Sequence, residues 1–430
     1  MAAETIFALS SGAPPAGVAV IRLSGPGVRF GLETLLGGVP EPRRAVVRAL
    51  RSADGTTIDR GVVLFFAAPA SFTGEDVAEL QIHGGRAVIA AMLSMLGGLP
   101  GFRPADAGEF TRRAFENGKA DLTEVEGLAD LIAAETEMQR RQALAVAEGG
   151  LSERLESWRM RLLRARALIE AELDFSDEDD VPASVLATAL AEARALALEM
   201  DRLLDDSHWG ERVRTGFEVV LLGAPNVGKS SLLNALARRE AAIVTAEPGT
   251  TRDMIEVQLV IDGYAVTLID TAGLRETESI VEREGISRAR RRGAAADLIL
   301  LLDDGEGSAP EPPASAPVLA VRTKTDLGGR PASGLGVSAR TGDGLDALRL
   351  AVGEALGLAE PRPSALLTRQ RHRHGVAAAR DGLRGISDRM APELVAEQLR
   401  QAAEGLARVT GRTDVEEMLG VIFGEFCIGK

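Results

Sequence analysis

The stretch "GFEVVLLGAPNVGKSSLLNAL", Gly216 to Leu236, reads as a strand, a glycine-rich turn and a helix in immediate succession. Gly223, Gly228, Lys229 and Ser230 fit the phosphate-loop spacing G-x-x-x-x-G-K-[ST] in the strand-to-helix context it requires. Such glycines let backbone N–H groups close around phosphate oxygens, and the helix N-terminus adds the positive end of its dipole. Asn226, Val227 and Ser231 belong to the same phosphate cradle. Lys229 is expected to hold the β- and γ-phosphates and Ser230 to ligate Mg²⁺.

Further matches follow in chain order. "TLIDTAG" puts Asp270 at the end of an apolar strand, where a carboxylate can reach Mg²⁺ through water; Gly273 is expected to supply a backbone N–H to the γ-phosphate, with Thr271 and Ala272 as further GTP-binding positions. "EPGTTRD", Glu247 to Asp253, lies between the two, with Thr251 as the second metal ligand. In "TKTD" Asp326 would accept guanine's N–H groups while Lys324 packs across the ring. "VSAR" would back the base from Ser338 and the main chain of Ala339. Together these are the ordered motifs of a GTPase.

Two positions depart from the common pattern. Thr323 stands where the guanine motif has asparagine, keeping one hydroxyl and losing the amide's second arm. Leu274 stands where Ras-like enzymes place a water-orienting glutamine. Glu276, Glu278, Glu282 and Glu284 are nearby acids that could take over that duty, or a solvated acidic loop. The Asn226 amide oxygen could ligate a monovalent cation, or merely hold the turn.

Around this unit the texture changes. Residues 1–118 mix β-like runs ("GVAVIRLSG", "GVVLFFAAP", "VAELQIHGG") with a helical stretch at "RAVIAAMLSMLGGL", an α+β pattern. Residues 119–215 are helical; Leu151, Leu155, Trp158, Leu162, Ala165 and Ile169 form one apolar stripe. Residues 216–360 alternate strands and helices, which predicts a parallel doubly wound sheet, and residues 361–430 return to helix. The α/β unit therefore reads as an insertion in a helical domain whose two parts pack together.

Composition sets the class. Hydrophobic residues at 45% and charged residues at 26% suit a globular protein with ample core. One cysteine excludes a disulfide framework and suits a reducing cytosol. No apolar run approaches the roughly eighteen residues of a membrane span, and "MAAETIFALSSG" lacks a secretory signal's charged start. A cytoplasmic location is expected. The net charge of −14 argues against indiscriminate nucleic-acid binding. "TRQRHRH", Thr368 to His374, is one local basic cluster, read as a solvated helix start or a tRNA contact.

"GAPNVGKSSLLN", "GTTRD", "DTAG" before leucine, and the terminal "FCIGK" resemble the MnmE (TrmE) family of tRNA modification GTPases, of the TrmE-Era-EngA-YihA-Septin-like class. "SFTGEDVAELQIHGG" and "GEFTRRAFENGKADL" extend the likeness to the N-terminus. The resemblance implies an N-terminal tetrahydrofolate-binding and dimerisation domain, a discontinuous helical domain and an inserted Ras-like G domain. It further implies K⁺ held by Asn226, Thr245, Glu247 and Thr250, Mg²⁺ held by Ser230 and Thr251, and a water positioned by Glu282. Arg22, Glu79, Lys119 and Lys430 would bind a methylene- or formyl-tetrahydrofolate. It also implies a homodimer working with the FAD-containing MnmG on tRNA, installing an aminomethyl or carboxymethylaminomethyl group at carbon five of the wobble uridine.

Cys427 has three readings: a prenylated residue, which the terminal lysine disfavours; an apolar residue continuing the stripe of Val415, Met418, Leu419, Ile422, Phe423 and Phe426; or a working thiol. The resemblance favours the last. The alternative for the whole chain is a ribosome-assembly switch GTPase, which predicts an RNA-binding module such as a KH domain with its G-x-x-G loop; no such C-terminal module is expected here, because the closing helices lead to "FCIGK".

Overall fold

The computed structural model describes residues 4–174, 185–239, 256–270, 296–305, 311–312, 316–328, 334–359, 365–387, 389–413, 419, 422–424, 426 and 429. Two compact units are present: residues 1–129, 146–192 and 386–430, and residues 130–145 and 193–385.

The first unit begins with β1 (Thr5–Leu9), β2 (Ala16–Ser24), α1 (Val28–Leu36), β3 (Val46–Arg51), β4 (Thr57–Phe66), β5 (Val77–Gly84), α2 (Arg86–Gly97), β6 (Phe102–Pro104) and α3 (Glu109–Glu116). Its sheet runs β3-β4-β5-β2-β1-β6, antiparallel except where β1 meets β6. Strand periodicity of two decides what each face does. Ile21, Leu23, Leu80 and Ile82 join Val28, Leu32, Met92 and Leu96 of α1 and α2 in one core. The alternate residues Arg22 and Glu79 fall to the opposite face, directly across from each other.

Helices α4 (Leu122–Ala133), α5 (Glu137–Ala147) and α6 (Gly150–Asp174) follow. A reciprocal cap starts α4: Asp121 Oδ1 accepts from the Thr123 and Glu124 N–H groups, while Glu124 Oε2 accepts from the Asp121 N–H at 2.7 Å. The α6 stripe is buried at every position named from the sequence, Leu151 through Ile169. Within this unit α6 packs along the helix Pro392–Thr410, which opens on a proline and closes on left-handed Gly411. The two parts of the helical domain thus meet.

The second unit contains α8 (Ser207–Thr215), following α7 (Val185–Asp205), then β7 (Phe217–Gly223), α9 (Lys229–Arg239), β8 (Glu256–Ile261), β9 (Tyr264–Asp270), β10 (Leu298–Asp303), β11 (Val318–Arg322), β12 (Leu335–Gly336) and α10 (Leu345–Ala355). The sheet order is β12-β11-β10-β7-β9-β8, parallel except for the β8/β9 pair. Val219 and Leu221 of β7 pack on one face with Leu232, Leu233 and Leu236 of α9, and Val220 and Leu222 pack on the other with Ile269 and Ile299. Burial on both faces explains the continuous apolar run.

At the base of this sheet Trp209, Phe217 and Tyr264 form an edge-to-face triad with centroids 5.1 to 5.9 Å apart. Met138 packs against the same cluster, and its N–H donates to the Gly263 carbonyl at 3.1 Å. Tyr264→Ala removes two of the three ring contacts and leaves a cavity, so this unit should lose about 3–5 kcal/mol. Denaturant unfolding followed by Trp209 fluorescence reads the loss; an unmoved midpoint would show the triad to be ornamental.

Candidate functional site

The phosphate loop leaves the carboxyl end of β7. Asn226 adopts φ 60° and Gly228 φ 106°, the left-handed values that reverse the chain there and that asparagine and glycine tolerate. Val227 is buried while Ser231 is exposed at the start of α9. Lys229, 6% exposed, donates from Nζ to the carbonyls of Gly223 (2.8 Å) and Ala224 (3.0 Å). Burial pushes its ammonium below the usual lysine range, and the charge of Asp270 acts against that shift. Ser230 Oγ donates to Asp270 Oδ2 at 2.6 Å, so a hydroxyl and a fully buried carboxylate converge at the ends of α9 and β9. Two hard oxygens in contact fit Mg²⁺.

The residues expected from the sequence to meet the base gather at the ends of β11 and β12, beside the end of β10. Asp326 accepts from Ser338 Oγ at 2.7 Å and pairs with Arg340 Nε at 2.8 Å. The Ser338 hydroxyl, then Arg340, hold its carboxyl below the ordinary aspartate range. Lys324 stands at φ 55° with Nζ 2.7 Å from Asp304 Oδ2, a partner that the sequence did not announce. Ala339 opens the turn after Ser338. Thr323, 5% exposed, donates from Oγ1 to the Val227 carbonyl at 2.6 Å and ties the base motif to the phosphate loop. Thr245, Glu247, Thr250, Thr251, Thr271, Ala272, Gly273 and Glu282 lie outside the described residues, as do Cys427 and Lys430.

The other unit brings three more predicted residues onto one region. Arg22 and Glu79 pair at 2.9 Å across β2 and β5. The Arg22 guanidinium lies 5.7 Å from the Phe72 ring and 5.9 Å from that of Phe110. Lys119 Nζ donates to the Pro69 carbonyl at 3.0 Å, and its stem lies beside Gly74. A cation paired to a carboxylate beside an aromatic ring fits a flat, N–H-bearing ring system with an acidic tail. Phe72 was not among the residues singled out from the sequence.

The loop 71–76 carrying Phe72 is fastened by a polar chain. Ser24 Oγ donates to Glu75 Oε2 at 2.7 Å and meets Thr73 Oγ1 at 2.7 Å; Arg113 bridges Glu75 and Glu109 at 3.0 Å each; Arg103 holds Glu109 at 2.6 Å. Asn117 Nδ2 adds a bond to the Thr73 carbonyl at 2.7 Å.

The basic cluster Thr368–His374 is not simply solvated. Arg369 pairs with Asp130 at 3.0 Å, Arg373 pairs with Glu211 at 2.9 Å, and His372 is wholly buried. These residues help to fasten the second unit, which leaves Gln370 and His374 exposed.

A mainly parallel sheet whose strand ends carry a phosphate loop, Asp270 against Ser230, and Asp326 against Ser338 defines a P-loop GTPase with appended α+β and helical domains. Comparison with known proteins narrows the class. The family model "MnmE helical domain" matches residues 122–427, and "GTP-binding protein TrmE N-terminus" matches residues 5–119. The tRNA modification GTPase MnmE of Rhizobium johnstonii (strain DSM 114642 / LMG 32736 / 3841) is 54% identical, covering 100% of both chains. That of Bradyrhizobium sp. (strain ORS 278) is 52% identical over 99% of each. The chain belongs to the MnmE family of tRNA modification GTPases. Among the described residues no helix is long and apolar enough to cross a membrane.

Glu109 gives the N-terminal network a pH signature. Burial alone would raise its carboxyl, but Arg103, the Asp106 N–H and Arg113 hold it down to about 2, against an ordinary 4.5. A carboxyl depressed by folding stabilises the fold above its unfolded value and loses that contribution as pH falls towards the folded one. Unfolding midpoints measured between about pH 4.5 and 2 should therefore fall with acid. Glu109→Gln should flatten part of that slope; an unchanged slope would remove Glu109 from the account.

Proposed function

We propose that this chain is a K⁺-dependent GTPase which, with an FAD-containing partner of the MnmG type, installs a (carboxymethyl)aminomethyl group at carbon five of the wobble uridine of certain tRNAs. The one-carbon unit would come from methylenetetrahydrofolate. The observation that carries this reading is how the chain's last residues are held. Ser10 Oγ donates to the Gly429 carbonyl at 2.7 Å, and a Cβ at Gly429 would lie 2.2 Å from the Leu9 carbonyl. Leu9 pairs with Ile21 in the β1/β2 ladder and Ala8 with Arg22, so Gly429 lies at the end of β1, the strand next to the one that carries Arg22. Phe423 and Phe426 are buried with Val125 and Phe115. Cys427 stands in the sequence between these anchored positions.

The roles follow from chemistry. Arg22 and Lys119 would meet the folate's glutamyl carboxylates, and Glu79 would accept from its pterin N–H groups. Lys430 would add a further cation. Cys427 would act as a thiolate in the modification step. In the G domain Lys229 would bind phosphate, while Ser230 and Thr251 would ligate Mg²⁺. Asn226, Thr245, Glu247 and Thr250 would hold K⁺, whose charge would do the work of an arginine finger. Glu282 would orient the attacking water in place of the missing glutamine. The protein would act in the cytoplasm as a homodimer through its N-terminal domain.

Two measurements test this reading. Replacing K⁺ by Na⁺ should lower GTP turnover about tenfold or more, and Glu282→Ala should lower it about 100-fold; turnover indifferent to both would refute the hydrolytic scheme. Cys427→Ser, expressed in a deletion strain, should abolish wobble-uridine modification by mass spectrometry and leave GTP hydrolysis nearly intact. Normal modification would make the thiol structural.

A further inference from the structure

Thr323 occupies the asparagine position of the guanine motif, and its hydrogen bonds decide what it can offer a base. A hydroxyl carries one proton. Thr323 Oγ1 lies 2.6 Å from the Val227 carbonyl oxygen and 3.4 Å from that of Asp303. Both neighbours only accept, so the proton goes to a carbonyl, and the shorter contact assigns it to Val227. The main-chain N–H of Thr323 is committed too, donating to the Asp303 carbonyl at 2.8 Å. The residue is 5% exposed, and turning the hydroxyl away would leave a buried carbonyl without its donor. Thr323 thus has no donor left for a ligand.

Guanine presents two acceptors, N7 and O6, on one edge and N–H donors on another. An acceptor edge needs donors from the protein; a donor edge needs a carboxylate. Asp326 supplies the carboxylate, held by Ser338 and Arg340. We infer that residue 323 does not read N7 in this chain, so that guanine is selected by its donor edge through Asp326 and nucleotides lacking N7 are accepted. Thr323 is then a positioning residue for the phosphate loop, and the chain tolerates 7-deazaguanine nucleotides. This rests on the reading that Asp326 meets the base.

Calorimetric titration of the full chain with GDP, 7-deaza-GDP and IDP tests it. The native chain should bind 7-deaza-GDP within about twofold of GDP, since no hydrogen bond is lost. IDP, which lacks the exocyclic N–H₂ group, should bind about tenfold or more weakly. Thr323→Asn supplies an amide donor and should make 7-deaza-GDP about 3–10-fold weaker than GDP. Thr323→Val should weaken both ligands alike. A native chain that binds 7-deaza-GDP more than about fivefold less tightly than GDP overturns the inference, as does a Val variant that loses affinity for GDP alone. Equal binding of IDP and GDP would instead refute the role of Asp326, so the two failures are distinguishable.

Discussion

The constraint on which the nucleotide unit depends is the double-sided burial of β7. This strand is hydrogen-bonded on both edges, to β9 and β10, and covered on both faces by separate apolar clusters. It cannot slip by one residue without exchanging Val219 and Leu221 for Val220 and Leu222 between those clusters. The register of β7 therefore fixes where Gly223 ends it and where the loop begins. Because the neighbours run parallel, their carboxyl ends open on the same edge. Asp270, Asp303, Thr323 and Ser338 arrive there together, from four different strands or the turns that follow them.

That dependence also explains what the sequence made legible. Residues at strand ends in a parallel sheet sit at fixed offsets from apolar runs, so Gly223, Lys229, Ser230, Asp270, Asp326 and Ser338 could be read from spacing. The α6 stripe was legible for a similar reason: burial along one helix face imposes a period. Contacts made by side chains far apart in sequence leave no such trace. The Lys324–Asp304 pair, the Arg340–Asp326 pair and the Thr323–Val227 bond each join residues whose proximity only the sheet creates. In the N-terminal unit Arg22 and Glu79 face each other across a ladder whose register no local pattern announces, and Phe72 lies in a loop without periodicity. The basic run 368–374 misled for the converse reason. Its charges are consecutive in sequence, but they point to different partners once the helix forms, Arg369 to Asp130 and Arg373 to Glu211.

Electrostatic contacts in this chain differ widely in consequence. Exposed pairs one helical turn apart, such as Arg112–Glu116, Glu137–Arg141 and Glu397–Arg400, gain little in water and are screened by salt. The Arg103–Glu109–Arg113–Glu75 chain is another matter, because its members are largely shielded and each carboxylate has more than one donor. Removing one member would strand its neighbours without partners, which costs more than the net worth of any single pair. A loop with no regular structure is in this way tied down at several points, and it is the loop that brings Phe72 to Arg22.

The phosphate loop is organised by the same logic. Lys229 is held over two carbonyls at the end of β7, Ser230 is set against Asp270, and Val227 is tied to Thr323. Each bond satisfies a buried polar group that would otherwise weaken the fold. Folding therefore fixes the Lys229 ammonium, the Ser230 and Asp270 oxygens and the loop carbonyls as a consequence of stabilising itself. A phosphate entering such a site finds dipoles already aligned, and alignment that needs no rearrangement is what makes electrostatic stabilisation effective. The threonine belongs to the same arrangement: its one proton is spent on the loop, where a buried carbonyl demands it.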